Sequence, residues 1–149
     1  MTYIAVAGPG EASPEECEVA EAVGRELGSR GVVVVCGGLG GVMEAACRGA
    51  KEAGGMTVGI LPGDDRSAAN RFVDAAIPTG LGEGRNVLVV RAADAVIAVG
   101  GAYGTLSEIA LALKAGKRVV GIGTWDIDGV VSVPEASAAV EAVLADLST

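Results

Sequence analysis

The chain predicts an open, doubly wound α/β fold: a sheet, mostly or wholly parallel, with helices on both faces. Three features of its 149 residues carry that prediction. Short apolar runs alternate with longer helical stretches along the whole chain. The runs are apolar at nearly every position, as strands covered on both faces are. Glycine-rich turns join several runs to the helices that follow, the arrangement of βαβ units.

Tyr3 to Ala7 reads as the first strand, ended by Gly8-Pro9-Gly10. Ser13-Pro14-Glu15-Glu16 then supplies an N-cap, a proline at the first helical position and a capping-box glutamate for a helix to about Arg30, closed by Gly31. Val32 to Cys36 is the second strand, and Gly37-Gly38-Leu39-Gly40-Gly41 leads into a helix from Val42 to about Ala53. Met56 to Leu61 is a third strand, stopped by Pro62. Between Gly63 and Gly84 periodicity is lost apart from a short strand near Ala75 to Ile77, and Asp64-Asp65-Arg66-Ser67 reads as an exposed loop. Arg85 to Ala93 is expected to be helical. Its apolar run Val87 to Val90 covers more than one helix face, which points to deep burial or to contact with a second subunit. Ala95 to Val99 is a strand, Gly100-Gly101-Ala102-Tyr103-Gly104 a turn, Thr105 to about Ala115 a helix, and Arg118 to Ile122 a strand. Gly123 to Gly129 is a loop carrying the only tryptophan, Trp125, and Ser132 with Glu135 is expected to cap a last helix from Val133 to Leu147. The whole is expected to be a single Rossmann-like domain over residues 1–149.

Half of the residues are apolar and 20% are charged, which excludes disorder. The apolar runs are interrupted too often to span a bilayer, and the chain passes from Met1 directly into a strand, so a cytoplasmic protein without a membrane partner is expected. A formal charge of −8 argues against holding nucleic acid by its phosphate backbone, and any anionic ligand must therefore be held locally. Cys17, Cys36 and Cys47 are odd in number and lack CxxC spacing, so neither a disulfide framework nor a structural zinc site is expected. The absence of histidine removes the Ser-His-Asp and Cys-His systems and the usual catalytic zinc sites.

The segment from Asp94 to Ile122 organises the rest. Its turn presents bare backbone N–H groups at the positive end of a helix dipole, where a phosphate is stabilised. One such turn is most simply a tight connection. Three in one small domain, all at strand carboxyl ends, point to a phosphate or nucleotide site in one crevice at the topological switch point. Neither GxGxxG nor GxxxxGK[ST] is present, so no dinucleotide fingerprint or P-loop is supported. Glu108 has two readings. Thr105-Leu106-Ser107-Glu108 is itself a capping box, and a carboxylate in a helix's first turn facing the crevice could also stabilise an oxocarbenium-like sugar. Arg85 could orient a phosphate or ribose through its guanidinium, or be a solvated helix-start residue.

Gly37-Gly38, Gly41-Val42-Met43, Glu52-Ala53-Gly54-Gly55 with Val58 to Pro62, Arg85, and Gly104-Thr105 with Glu108 resemble the LOG family, often labelled "lysine decarboxylase-like". That family contains cytokinin-activating nucleoside 5′-monophosphate phosphoribohydrolases, and its motifs are GGGxxGxM and PGGxGTxxE. Cys36 stands at the first glycine of the former and Gly100-Gly101-Ala102 at the PGG of the latter, while Asn86 follows Arg85 where the plant enzymes usually have lysine. The family's catalytic pair maps onto Arg85 and Glu108. Arg85-Asn86, Gly104-Thr105 and the following ALALKAGKRVV look more like the molybdenum cofactor carrier proteins and their bacterial relatives in the same SLOG superfamily, which bind a phosphorylated pterin without transforming it. The glycine-rich turns and the resemblance together give the expected ligand contacts: Gly8, Gly37, Gly38, Gly41, Met43, Asn86, Gly100, Gly101, Ala102, Tyr103, Gly104 and Thr105. The resemblance also implies a homo-oligomer, dimer or tetramer. Lysine decarboxylation is refused on chemistry, because it needs pyridoxal phosphate on a lysine, and Lys51, Lys114 and Lys117 all fall late in or after helices, far from strand carboxyl ends.

Two functions follow as expectations. One is hydrolysis of the N-glycosidic bond of a nucleoside 5′-monophosphate, with Arg85 on the ribose phosphate and Glu108 on the cationic sugar. The alternative is a carrier or sensor of a phosphorylated pterin or nucleotide, with no turnover. Neither requires a further cofactor or a metal; the ligand itself would be a nucleoside monophosphate or a molybdopterin-type molecule. Single-stranded nucleic acid is disfavoured by the acidity and the paucity of aromatics.

Overall fold

The computed structural model describes residues 1–145 and 147. Among them, seven strands form one sheet: β1 (Tyr3–Ala7), β2 (Val33–Cys36), β3 (Thr57–Leu61), β4 (Ala75–Pro78), β5 (Ala95–Val99), β6 (Val119–Ile122) and β7 (Val130–Ser132). Their order is β4-β3-β2-β1-β5-β6-β7, with every neighbouring pair parallel. The chain winds outward from β1 to β4 and then returns to place β5 on the other side of β1. That reversal is the switch point, and a crevice opens above it at the carboxyl ends of the strands.

Five α-helices cover the sheet: α1 (Pro14–Ser29), α2 (Val42–Glu52), α3 (Arg85–Ala92), α4 (Tyr103–Lys114) and α5 (Ala136–Leu144). The period of two along each strand sorts the core into two layers. Ile4, Val6, Val34, Ile97, Val99 and Val120 meet α1, α2 and α5 on one face. Ala5, Ala7, Val33, Val35, Val96 and Ala98 meet α3 and α4 on the other.

The start of α1 is as expected: the Ser13 hydroxyl accepts from the Glu16 amide at 3.1 Å and the Glu16 carboxylate accepts from the Ser13 amide at 2.9 Å. Helices α1 and α2 are pressed together through small residues. A Cβ on Gly24 would overlap the Ala46 carbonyl, and one on Gly49 would overlap the Glu21 carbonyl. On the opposite face α3 buries Val89 and Val90 but leaves Leu88 38% exposed, so the chain itself does not cover all of its apolar surface.

The lysines stand where their spacing places them. Lys117 donates to the carbonyls of Val90 at 2.8 Å, Arg91 and Ala93, closing the end of α3, and Lys51 donates to the Gly55 carbonyl at 3.1 Å. Lys117 thus closes the carboxyl end of α3, while Lys51 also pairs with the Asp74 carboxylate at 2.9 Å beside the start of β3.

Two expected caps are corrected. Ser132 does not start the last helix, because Val130–Ser132 pairs with β6 in the register Gly121↔Ser132 and holds that residue in extended conformation. Helix α5 starts at Ala136 instead, with Glu135 as its N-cap, and it ends at Leu144. The expected extension to Leu147 passes through residue 146, outside the described residues. The other correction, at Thr105 and Glu108, concerns the site. Among the described residues no helix is long and apolar enough to cross a membrane.

Candidate functional site

A small cleft of about 160 Å³ lies above the switch point, lined by Gly8, Pro9 and Gly10 after β1, Met43 of α2, Arg85 and Asn86 of α3, and Ala102, Gly104, Thr105 and Glu108 of α4. The turn after β1 and the amino-terminal parts of three helices therefore meet there. Each contributes through a different physical device.

Helix α4 contributes its amino end. Ala102 is the N-cap, in extended conformation, and the first intrahelical bond runs from the Leu106 amide to the Ala102 carbonyl at 2.9 Å. The amides of Tyr103, Gly104 and Thr105 precede that bond and have no intrahelical partner. This overturns the capping-box expectation. The helix begins two residues earlier than Thr105, so Thr105 is its third residue, and among the described residues no side chain caps it. The Trp125 indole fixes the start instead, donating from Nε1 to the Ala102 carbonyl at 3.1 Å. Released from capping, the Thr105 side chain is 1% exposed, and its hydroxyl has no hydrogen-bond partner among the described residues. A buried orphan hydroxyl costs roughly 1–3 kcal/mol unless something pairs with it.

Glu108 follows Thr105 on the same helix face and is 8% exposed. Burial pushes its carboxyl up to about 7, with the Arg85 guanidinium pulling it back toward the ordinary range. The group is thus poised between acid and anion near neutral pH.

Arg85 is not a solvated helix-start residue. Its Nε donates to the Ile60 carbonyl at 2.9 Å, its Nη2 to the Gly37 carbonyl at 3.4 Å, and its Nη1 to the Asn86 side-chain oxygen. It ties the ends of β2 and β3 to α3. Asn86, 4% exposed, passes the connection on from its Nδ2 to the Ser107 hydroxyl at 3.4 Å.

The remaining sequence-nominated residues do not line the cleft. A Cβ on Gly37 would strike the Arg85 guanidinium, and one on Gly38 would meet Leu61 at 2.6 Å. Gly41 lies against the Pro9 and Gly10 carbonyls, Gly100 against the Glu16 carboxylate and Gly101 against Trp125. Tyr103 points outward, 84% exposed, with its ring 6.2 Å from that of Trp125. Sequence reasoning missed Pro9, Gly10, Ser107 and Trp125. Only Pro9 and Gly10 carried a signal, as a glycine-rich strand end.

Cys36, at the first glycine of the LOG motif, stays out of the cleft. It is buried with its Sγ 3.5 Å from that of Cys47, and the Gly38 amide donates to it at 3.3 Å. The Cys47 thiol and this amide hold the Cys36 thiol below its ordinary value, while Cys47 is pushed above its own.

Comparison with known proteins places this geometry. The chain matches the SLOG cluster4 family over residues 1–146. An uncharacterized protein of Archaeoglobus fulgidus is 50% identical over 122 residues, 82% of this chain and 80% of that one. The molybdenum cofactor binding protein of the phototrophic bacterium Rippkaea orientalis superposes with a TM-score of 0.94 at 38% identity, over 99% of this chain and 98% of that chain. The molybdenum cofactor carrier protein of Chlamydomonas reinhardtii does so with a TM-score of 0.89 at 35% identity, over 99% of each chain. The chain belongs to the SLOG cluster4 family.

Proposed function

We propose that this protein binds a phosphorylated pterin of the molybdenum cofactor type and carries it without breaking a bond in it. The observation that carries the reading is the unpartnered hydroxyl of Thr105, buried in the cleft beside the free first-turn amides of α4. A phosphate there would receive those amides and the hydroxyl, satisfying groups that the fold leaves open. Gly104, where a Cβ would meet no described atom within 4 Å, keeps that approach clear. The whole-chain similarity to two molybdenum cofactor proteins supports the identity of the cargo.

Two features speak against glycosidic hydrolysis. A carboxylate that stabilises a cationic sugar must be ionised, and burial lifts the Glu108 carboxyl to about 7. Arg85 spends donors on the Ile60 and Gly37 carbonyls and on Asn86, so it serves first to hold the cleft's walls.

The test mixes the purified protein with molybdenum cofactor released from a molybdoenzyme, then measures molybdenum and pterin in the protein fraction after gel filtration. Retention near one equivalent is expected, falling tenfold or more in Thr105→Val, whose fold is checked by circular dichroism. Parallel incubations with AMP, GMP and CMP are expected to release no free base. Absent retention, or base release that Glu108→Gln abolishes, would overturn the carrier reading.

A further inference from the structure

We propose that Tyr103 and Trp125 form a stacking platform, just outside the cleft, for the fused heteroaromatic ring of the phosphorylated ligand. The proposal rests on the carrier reading for the phosphate end of the ligand and adds the part of the site that reads its ring.

The first observation is size. A cleft of about 160 Å³ accommodates a phosphate group and little more, whereas sites that enclose a small organic ligand run to roughly 300 Å³ and above. A ligand anchored by its phosphate at Thr105 must therefore leave its bicyclic ring outside.

The second observation is what lies outside. The chain has one Trp, two Tyr and one Phe. Two of these rings stand together at the start of α4, stacked at 6.2 Å with 26° between their planes. Tyr103 is 84% exposed at the first residue of the helix, two positions from Thr105. Trp125 makes the pair rigid, because its Nε1 is held by the Ala102 carbonyl and its indole lies over Gly101, where an added Cβ would come 3.3 Å from Nε1. Gly104, where an added Cβ would meet no described atom within 4 Å, keeps the approach between cleft and Tyr103 open. An exposed, pre-positioned aromatic face of this kind stacks on flat heterocycles with little entropic penalty.

The other two aromatics are unavailable. The ring of Phe72 is engaged by the guanidinium carbons of Arg48, at 5.3 Å, and Arg71, at 4.8 Å. Tyr3 begins β1, at the opposite end of the sheet. The ring the platform takes is a flat fused nitrogen heterocycle, the chemistry shared by pterins and purines.

The experiment measures binding of ribose 5-phosphate, neopterin monophosphate and GMP by titration calorimetry, together with Trp125 fluorescence, in the wild type, Tyr103→Ala and Tyr103→Phe. Expected are tighter binding of one or both ring-bearing probes than of ribose 5-phosphate, with quenching of Trp125, and a loss of tenfold or more for those probes in Tyr103→Ala. Ribose 5-phosphate should change less than twofold, and Tyr103→Phe should restore ring binding. The relative affinities of neopterin monophosphate and GMP tell pterin from purine. Wild-type protein that binds ribose 5-phosphate as tightly as the ring-bearing probes overturns the platform and leaves the cradle standing. Equal loss for all three probes in Tyr103→Ala, or no loss, also overturns it. A Tyr103→Ala variant that binds normally but dissociates into smaller species assigns the ring to contact between copies. Wild-type protein that binds none of the probes overturns the reading of the cleft and the platform with it.

Discussion

In the turn between β2 and α2, a side chain added at Gly37 would strike Arg85, at Gly38 would meet Leu61 at 2.6 Å, and at Gly41 would run into the Pro9 carbonyl. At Gly104, in the first turn of α4, it would meet no described atom within 4 Å. The glycines of the first turn are packed against their neighbours, whereas Gly104 sits in open space. The first is glycine-rich because neighbouring chain fills the space a Cβ would need, and it also needs the positive φ of +81° at Gly38 and +64° at Gly41. In the second, Gly100 and Gly101 are backed by the Glu16 carboxylate and the Trp125 indole, and Gly104 alone has its space left empty. This second region holds an unpaired hydroxyl and a buried carboxyl, both unfavourable for stability, as sites that meet ligands commonly are. Glycine clustering marks a turn, and unfilled volume distinguishes the turn that can meet a ligand.

The comparison is most sharply tested at its dense end. Gly41→Ala is expected to lose about 3 kcal/mol in chemical denaturation, combining steric overlap with a backbone conformation that alanine resists. A loss below about 0.5 kcal/mol would mean that the β2–α2 turn is not filled as described. The next effect lies at the carboxyl of Glu108. Its folded value of about 7 exceeds the ordinary 4.5, so the folded state holds the proton more tightly between those limits. Stability from this group is therefore fully present below pH 4.5 and is lost as pH rises through 7, by roughly 3 kcal/mol. Glu108→Gln should remove that slope in melts recorded from about pH 4 to 8, and a slope that persists would exclude this carboxyl as its source. The smallest change is expected at the open end. Gly104→Ala should stabilise the fold by less than about 1 kcal/mol, through the better helix propensity of alanine, while weakening ribose 5-phosphate in calorimetry. Destabilisation instead would erase the difference between the turns.

The sheet, six of its strands and the start of α1 are legible in the sequence because local chemistry and tertiary packing agree there. Strand β7 is not. It has three residues, too few to show an apolar run like that of Ala95 to Val99, and its edge pairing with β6 is a long-range choice that leaves no period in the sequence. Thr105-Leu106-Ser107-Glu108 carries a genuine capping pattern, yet Trp125 fixes the helix start at Ala102 and so moves both Thr105 and Glu108 into the cleft. A partner 23 residues away decides the matter, and no local signal announces it. Membership of the SLOG superfamily, on the side of the molybdenum cofactor carriers, is legible from motif spacing even with Cys36 and Gly100 departing from the family pattern. The division of the glycines between packing and open space is not, because it depends on what lies across the crevice.

Arg85 joins strands that are distant in the sequence, through the carbonyls of Gly37 and Ile60. Truncating it would free the ends of β2 and β3 before any ligand arrives, so part of whatever affinity disappears would report the loosening of the cleft's rim. Melting curves recorded beside the titrations separate the two contributions, and lysine at this position, keeping the charge without the fork, isolates what the forked geometry adds.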